Sequence, residues 1–276
     1  MASSFWHGDF YFDNKKLTEK EKNSSYYKVC IIDYNSHDIV KQIGGSHIIS
    51  IDKELAYHGQ YFYKETEISS DDIILQLART DKKPWTAIDI MEIGKWLFTE
   101  NFCKFQPTES SNQKMNLSIQ GYNIMYYLKA VDLKKFLTPQ MEGYLEITFK
   151  QYDGYAYAVP QNSLILSVGG TKTIKNISNV DKIYYPKIKI TNNGDTSTVI
   201  KITNKTNNNV LTLKGMGNKE VVTVDCAMGV LKNSSGKNRF SLLQDYGFLG
   251  LVRGNNNIQL SGDCKVELIC EFPIIM

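Results

Sequence analysis

Arginine, paired cysteines and long apolar runs are scarce in this 276-residue sequence. Lysine and arginine together number 32, but only Arg79, Arg239 and Arg253 are arginines. Arginine supplies the planar two-pronged donor that suits phosphate and guanine, so its scarcity argues against recognition of nucleic-acid sequences. The net charge of +3 is small. We interpret the many lysines as solvated surface and as codon bias of an AT-rich genome, and the asparagine runs 207–209 and 255–257 in the same way.

No apolar run approaches the roughly 18 residues that a membrane-spanning helix needs. Asp, Lys or Gly interrupts each candidate run every few positions. The first ten residues contain neither a basic stretch nor an apolar stretch of the kind that begins a signal peptide. We therefore expect no membrane insertion and assembly in a cytoplasm.

The five cysteines are odd in number, form no Cys-x-x-Cys pair and lie mostly in apolar stretches. This pattern predicts buried, reduced thiols. A metal site would need clustered Cys and His ligands, whereas the four histidines all lie in the first quarter of the chain, away from most of the cysteines. We expect neither a metal nor another cofactor.

Catalytic motifs are also missing. The sequence has no Gly-x-Ser-x-Gly elbow and no His-Glu-x-x-His motif. His37, His47 and His58 share a segment with several aspartates, and an acid–base or metal site built from them is an alternative hypothesis. Nothing in their spacing fixes a geometry, so we expect that the protein is not an enzyme and name no catalytic residue.

Short runs rich in Ile, Tyr, Val and Phe predict antiparallel strands in the first half of the chain. The charged stretch Lys15–Ser25 predicts a solvated loop between the first two. The predicted strands are Phe10–Phe12, Tyr26–Tyr34, Ser46–Ile51, Gln60–Ile68, Asp72–Arg79, Met125–Leu133 and Gly143–Tyr152.

One helix is predicted at Thr86–Phe98. Thr86 and Asp89 have the spacing of a capping box. Ile90, Ile93 and Leu97 fall at i, i+3 and i+7, which predicts one face packed on a sheet. We interpret as packing anchors the two tryptophans that flank this stripe, Trp85 and Trp96.

The segment from Gln106 to Asn123 is polar and has only scattered apolar positions, which predicts a projecting loop or arm. We expect this arm to be a protein-contact element that orders on assembly. Its candidate interaction residues are Gln106, Lys114, Gln120 and Asn123.

After Asp153 the charge falls, and strands recur every 8–12 residues or so, which is typical of a β-sandwich. Asn193-Gly194 and Asn207-Asn208 lie where tight turns are needed. The predicted strands are Leu164–Ser167, Thr171–Asn176, Pro186–Asn192, Thr198–Asn204, Asn209–Lys214, Glu220–Asp225, Gly229–Leu231, Gly254–Gly262 and Cys264–Phe272.

Seven phrases of the sequence, in their order and spacing, resemble one known family. They are Phe10–Phe12, the turn and paired strands at Gly44–Ile68, the helix end Trp96–Leu97, the strand pair Tyr126–Leu133 and Gly143–Phe149, the junction Thr148–Tyr157, the strand and turn Tyr185–Gly194, and Arg253–Ile258. Together they resemble the distal tail protein family, often called Dit, of siphophage-type tails. Gly154 and Arg253 stand where that family usually has proline.

The resemblance implies a mainly β protein with two domains. Residues 1–152 would form a ring-forming, split β-barrel-like domain with one α-helix, and residues 153–276 a galectin-like β-sandwich. Six copies would form a ring at the distal tip of the virion tail, assembled in the host cytoplasm. The ring would join the tail tube protein to the tail-tip protein and carry receptor-binding or other baseplate proteins. The family has no catalytic residue or cofactor to carry over.

The main alternative is a stand-alone carbohydrate-binding β-sandwich protein, and an enzyme using the three histidines is another. All three tryptophans lie in the first half, whereas a sugar site often uses an exposed aromatic face. We interpret the sandwich tyrosines near the domain junction and before a strand as packing residues, although an exposed tyrosine could still stack on sugar; they include Tyr155, Tyr157, Tyr184 and Tyr185. We therefore expect that the sandwich binds no cell-wall glycan.

Overall fold

The computed structural model describes residues 10–16, 29–34, 47–56, 59–68, 72–79, 83–107, 122–137, 143–160, 164–166 and 168–275. The chain forms two compact units. The N-terminal unit comprises Met1–Ala156 with Ile275–Met276, and the C-terminal unit comprises Tyr157–Ile274. The predicted division at 152/153, with a ring-forming domain before it, stays a prediction.

The N-terminal unit contains one long antiparallel sheet and a separate hairpin. The sheet runs in the order β2-β1-β7-β8-β9-β6-β3, and β4 pairs with β5. Its elements are β1 Phe10–Phe12, β2 Lys15–Lys16, β3 Val29–Tyr34, β4 His47–Ala56, β5 Gly59–Ile68, β6 Ile73–Arg79, α1 Ala87–Leu97, β7 Cys103–Pro107, β8 Tyr122–Phe136 and β9 Tyr144–Gln151.

The loop predicted to follow the first strand is partly wrong, because a second strand, β2, begins within it. Asp13 and Asn14 both adopt positive φ, 50° and 61°, and reverse the chain tightly. Lys15 and Lys16 therefore return as β2 and pair with β1. The loop predicted from Lys15 thus begins as a strand, and its residues 17–25 lie outside the described part of the chain.

Strand pairing also extends two predicted strands. β4 was expected to end at Ile51, but residue-by-residue pairing with β5 carries it through charged positions to Ala56. β8 was expected at 125–133 and instead runs from Tyr122 to Phe136, with a register shift between Ala130 and Asp132. A bulge of this kind lets a strand bend without ending.

The helix is confirmed. α1 begins after the N-cap Thr86, and Thr86 and Asp89 form the predicted capping box. Ile93 and Leu97 are buried and Ile90 is half-buried. No helix among the described residues is long and apolar enough to cross a membrane.

The C-terminal unit contains two five-stranded antiparallel sheets, in the orders β11-β20-β13-β16-β17 and β12-β19-β14-β15-β18. A further strand, β10, pairs with β21. The elements are β10 Ala156–Pro160, β11 Leu164–Leu166, β12 Thr171–Asn176, β13 Lys187–Asn192, β14 Val199–Asn204, β15 Asn209–Lys214, β16 Val221–Asp225, β17 Val230–Asn233, a 3₁₀-helix Phe240–Leu242, β18 Leu243–Gln244, β19 Gly254–Ser261, β20 Cys264–Ile269 and β21 Phe272–Ile274.

Alternation along the strands gives each sheet one buried face. In β13, Ile188 and Ile190 are fully buried while Lys187 and Lys189 are exposed. β14 repeats the pattern with buried Ile200 and Ile202. Two sheets with one apolar face each bury those faces against one another, which makes this unit a sandwich. The mainly β class is confirmed; the split-barrel form of the N-terminal unit stays a prediction.

Candidate interaction surfaces

The predicted polar arm begins and ends in the sheet. Gln106 lies in β7 opposite Tyr11, and Asn123 lies near the start of β8; both are half-buried. β7 and β8 are antiparallel neighbours, so residues 108–121 connect two adjacent strands. Lys114 and Gln120 lie outside the described residues. The prediction that Gln106 begins a loop is therefore wrong, and the alternation of polar Lys104, apolar Phe105 and polar Gln106 is the sequence signal for this strand. The interaction role of the four arm residues stays a prediction.

The start of α1 is held to the sheet by a buried ion pair. An Oδ2 atom of Asp89 accepts hydrogen bonds from the Thr86 backbone N–H at 2.9 Å and from a guanidinium N–H of Arg79 at 2.7 Å. The Arg79 and Asp89 side chains are both nearly buried, and the guanidinium lies over the Trp85 ring at 5.8 Å. The cap is visible in the sequence, but the ion pair of Arg79 is not, because its partner Asp89 follows ten residues later in a different element.

Trp96 anchors the other end of the helix, as predicted. Its ring stacks on Phe10 with centroids 5.6 Å apart and meets Phe12 edge-on at 6.2 Å. Its Nε1–H donates to the Phe12 carbonyl oxygen at 3.2 Å. This partner satisfies the indole, so Trp96 is committed to packing.

The outer face of α1 carries exposed apolar side chains. Ile88 is 65% exposed and Met91 is 67% exposed, one turn apart on the helix. At the end of β8, Lys135 donates to the Trp85 carbonyl oxygen at 2.9 Å, and the neighbouring Leu137 is also exposed. The N-terminal unit therefore presents apolar side chains on the outer face of α1 and just after β8 that its own described residues leave uncovered.

Buried asparagines organise the loops of the C-terminal unit. Asn204 donates to the Gly250 carbonyl and to Asn256 Oδ1, at 2.8 and 2.9 Å. Asn256 donates to the Val252 carbonyl at 2.7 Å and accepts from the Val252 N–H at 2.9 Å. Asn176 donates to the Leu251 carbonyl at 3.2 Å. These asparagines are at most 1% exposed. Buried side chains therefore hold the backbone of the segment from Gly250 to Asn256 by hydrogen bonds.

This finding corrects the interpretation of asparagine as codon bias. A side-chain amide offers both donors and an acceptor, so it can satisfy irregular backbone that no strand pairs. Asn192 does the same at another loop, donating to the carbonyls of Asp195, Met216 and Gly217. The predicted turn at Asn207-Asn208 is confirmed, and Asn208 has a φ of 61°.

An open cleft of about 440 Å³ lies beside the segment from Gly250 to Asn256. Its lining includes two tyrosines at the rim, Tyr185 and Tyr246, which are 41% and 75% exposed. Asn208 and Asn209 also line it. The sequence does not distinguish Tyr185 and Tyr246 as exposed residues, because exposure of a single residue outside a strand leaves no periodic pattern.

Arg239 holds a second loop of the sandwich. Its guanidinium donates through Nε to Glu220 Oε1 at 2.7 Å and through a terminal nitrogen to Oε2 at 2.8 Å. Desolvation by itself would raise the pKa of Glu220, but hydrogen bonds from Arg239 and from the Gly217 N–H, with the arginine charge, outweigh it and lower that pKa. Glu220 therefore stays ionised.

The thiols of the C-terminal unit are buried and free, as predicted. Burial raises the pKa of Cys226 to about 12, of Cys264 to about 11 and of Cys270 to about 12. Thiols with such pKa values are poor nucleophiles near neutral pH. In the described residues, no three His, Cys, Asp or Glu side chains cluster as metal ligands would. His37 and His58 lie outside that part of the chain.

Residues 155–270 match a sequence family described as the phage tail C-terminal domain. Among solved structures, the fold is similar to the Dit protein of phage SPP1, described as a paradigm of the hub adsorption apparatus in Gram-positive-infecting phages. The TM-score is 0.57 at 10% identity, over 96% of this chain and 99% of that one. The chain has the fold of a phage distal tail protein.

A chain of the phage P2 baseplate in its activated conformation with Ca gives a TM-score of 0.51 at 9% identity, over 95% of this chain and 97% of that one. The resemblance to distal tail proteins that the sequence predicted is thereby confirmed. No curated protein sequence matches the chain. At such low identity the likeness rests on the fold.

Proposed function

We propose that the protein is a structural hub of a phage tail tip, part of the virion rather than an enzyme. The observation that supports this most is the extent of the match to SPP1 Dit, which covers nearly all of both chains and thus both units in the same order. The phage tail family match of residues 155–270 supports it independently from sequence.

In this proposal six copies form a closed ring at the distal end of the tail. The ring joins the tube protein to the tail-tip protein and carries receptor-binding proteins. Residues 1–152 form the ring. The order of the N-terminal sheet leaves β2 and β3 as its outer strands among the described residues, and open strand edges invite association with other chains. A closed cyclic assembly covers such edges.

The test measures the mass of the purified full chain by native mass spectrometry and its outline by negative-stain electron microscopy. We expect six-copy rings. Sizing of the separate segments 1–152 and 153–276 then assigns the ring contacts. A monomeric 1–152 beside a hexameric 153–276 would overturn the assignment of the ring to the N-terminal segment, and a full chain that stays monomeric would overturn the hub itself.

Location in the particle is a separate measurement. Antibodies against the full chain should label one end of the tail in electron micrographs. Label spread along the tube, or confined to the capsid, would contradict the proposed position. This readout does not depend on whether the free protein forms rings in solution.

A further inference from the structure

The rim of the cleft in the C-terminal unit contains an unusual backbone turn. Asp245 and Tyr246 both have positive φ, 57° and 47°. A bulky residue in this region costs about 1 kcal/mol or more, and such strain concentrates at functional positions. The strained turn leaves the Tyr246 ring mostly in solvent, with Phe240 at a centroid distance of 5.9 Å. Burial of Tyr246 therefore does not explain this turn.

Close contacts fix the backbone at Gly247, which lines the cleft, and at Gly250, three residues further along the chain. Gly247 passes so close to the Val210 carbonyl oxygen that no side chain would fit there. A Cβ at Gly250 would lie 2.6 Å from the Ile183 side chain and 2.7 Å from Asn209 Oδ1. The Gly250 carbonyl also accepts hydrogen bonds from Asn204 and Asn207. A cleft fixed in this way loses little conformational freedom when a ligand binds.

The chemistry of the lining selects a class of ligand. Two exposed tyrosine rings offer apolar faces with polar edges, and two asparagines offer amide groups. Asn209 Oδ1 is buried beside Gly250, so the Asn209 amide can offer a ligand only its N–H groups. None of the lining residues carries a charge at neutral pH. The lining therefore suits an uncharged ligand that is apolar on its faces and rich in hydroxyl groups.

We propose that this cleft binds a neutral glycan. One sugar ring stacks on Tyr246, and the adjoining sugar units contact Tyr185 and the amides of Asn208 and Asn209. A pyranose ring presents C–H groups on its face and hydroxyls around its edge, which matches tyrosine faces flanked by amides. The cleft is open rather than enclosed, and this shape accommodates one segment of a longer polysaccharide. The inference reverses the expectation from sequence that the sandwich binds no glycan, which rested on its lack of tryptophan and on packing roles for its tyrosines.

The experiment applies fluorescently labelled full chain to an array of oligosaccharides made of neutral hexoses, 6-deoxyhexoses and N-acetylhexosamines, with anionic glycans beside them. Hits are titrated calorimetrically with the free oligosaccharide. For a shallow site we expect a Kd of roughly 0.1–1 mM for a neutral oligosaccharide. Tyr246→Asn removes the ring, and asparagine tolerates positive φ, so the turn is kept. It should weaken binding by about tenfold or more.

Two matched variants make the result specific. Tyr246→Phe keeps the stacking face and should change the Kd by less than about threefold. Tyr152→Asn removes another mostly exposed ring, in the N-terminal unit, and should leave the Kd unchanged. Unaltered melting temperatures check the fold of each variant.

The proposal is overturned by no binding to any neutral glycan at 10 mM ligand (roughly ten times the weakest expected Kd), by binding to anionic glycans alone, or by a Tyr246→Asn variant that binds as the wild type does. An equal loss from Tyr152→Asn would also overturn it. None of these outcomes depends on ring formation, which is measured separately by mass, so the failure of the glycan site is distinguishable from failure of the hub.

Discussion

The two units of the chain fill their interiors with different side chains. In the N-terminal unit the largest fully buried side chains include Phe10, Phe12, Phe105 and Phe149, which form a network of ring contacts. The interior of the sandwich is mainly Ile, Leu and Val, and it also contains buried asparagines. The two cores stabilise different features: one packs a helix on a sheet, and the other fixes the loops between short strands.

The aromatic core of the N-terminal unit holds a helix against a sheet. Trp96 stacks on Phe10 of β1, and Leu97 is buried on the same helix. The helix is therefore held mainly by the packing of one apolar face. The sandwich instead has many short strands whose connections need hydrogen bonds, and amides buried among aliphatic side chains supply them. We therefore expect the N-terminal unit to be most sensitive to loss of apolar packing and the C-terminal unit to loss of amides.

The largest effect is expected on the buried face of α1. Ile93→Asp places a charge without a partner among apolar side chains and should lower the free energy of unfolding by roughly 3–5 kcal/mol. Ile88→Asp makes the same change on the exposed face of the same helix and should cost less than about 1 kcal/mol. Chemical unfolding followed by tryptophan fluorescence reports this unit, because all three tryptophans lie in it. Equal effects from the two variants would show that the face is assigned wrongly.

A smaller effect is expected from the amides of the sandwich. Asn256→Ala leaves the Val252 N–H and carbonyl without this partner and removes one of the acceptors of the Asn204 amide, which should cost about 2–3 kcal/mol. Asn255→Ala, at the exposed neighbouring position, should stay within about 0.5 kcal/mol of the wild type. Thermal unfolding followed by circular dichroism compares the two. If they melt alike, the buried amides do not distinguish the sandwich from the N-terminal unit.

The smallest effect concerns Glu220 and depends on pH. Glu220→Gln weakens the two-pronged contact with Arg239 and should cost about 1–2 kcal/mol at pH 7. The folded pKa of Glu220 lies below its ordinary value of 4.5, so the ionised carboxylate stabilises the fold above pH 4.5. That contribution is lost as the pH falls through the lowered pKa.

The measurement for Glu220 is the difference in melting temperature between wild type and variant, from pH 7 down to pH 3. The difference should shrink below pH 4.5. Glu267→Gln is the control, because Glu267 makes no ion pair among the residues that the structure describes. A difference that is constant with pH, or one that the control reproduces, would contradict the role given to the carboxylate.

The sequence alone determined the local features whose cause lies within a few residues. The capping box of Thr86 and Asp89, the buried stripe of α1 and most strands of the sandwich follow from short-range spacing and period-two alternation, and these predictions are confirmed. The strands β2 and β7 were missed because a tight turn and pairing with neighbouring strands, rather than composition, place them in the sheet.

Only the tertiary structure decided which polar residues are buried and which form ion pairs. Asn256 is buried and Asn255 is exposed although they are adjacent and identical, since one faces the interior of the sandwich and the other faces solvent. Arg79 forms an ion pair with Asp89, and Arg239 forms one with Glu220. Both pairs exist only after the chain folds. The strain at Tyr246 and the cleft beside it arise in the same way, because a site built from separate turns exists only when long-range packing brings those turns together.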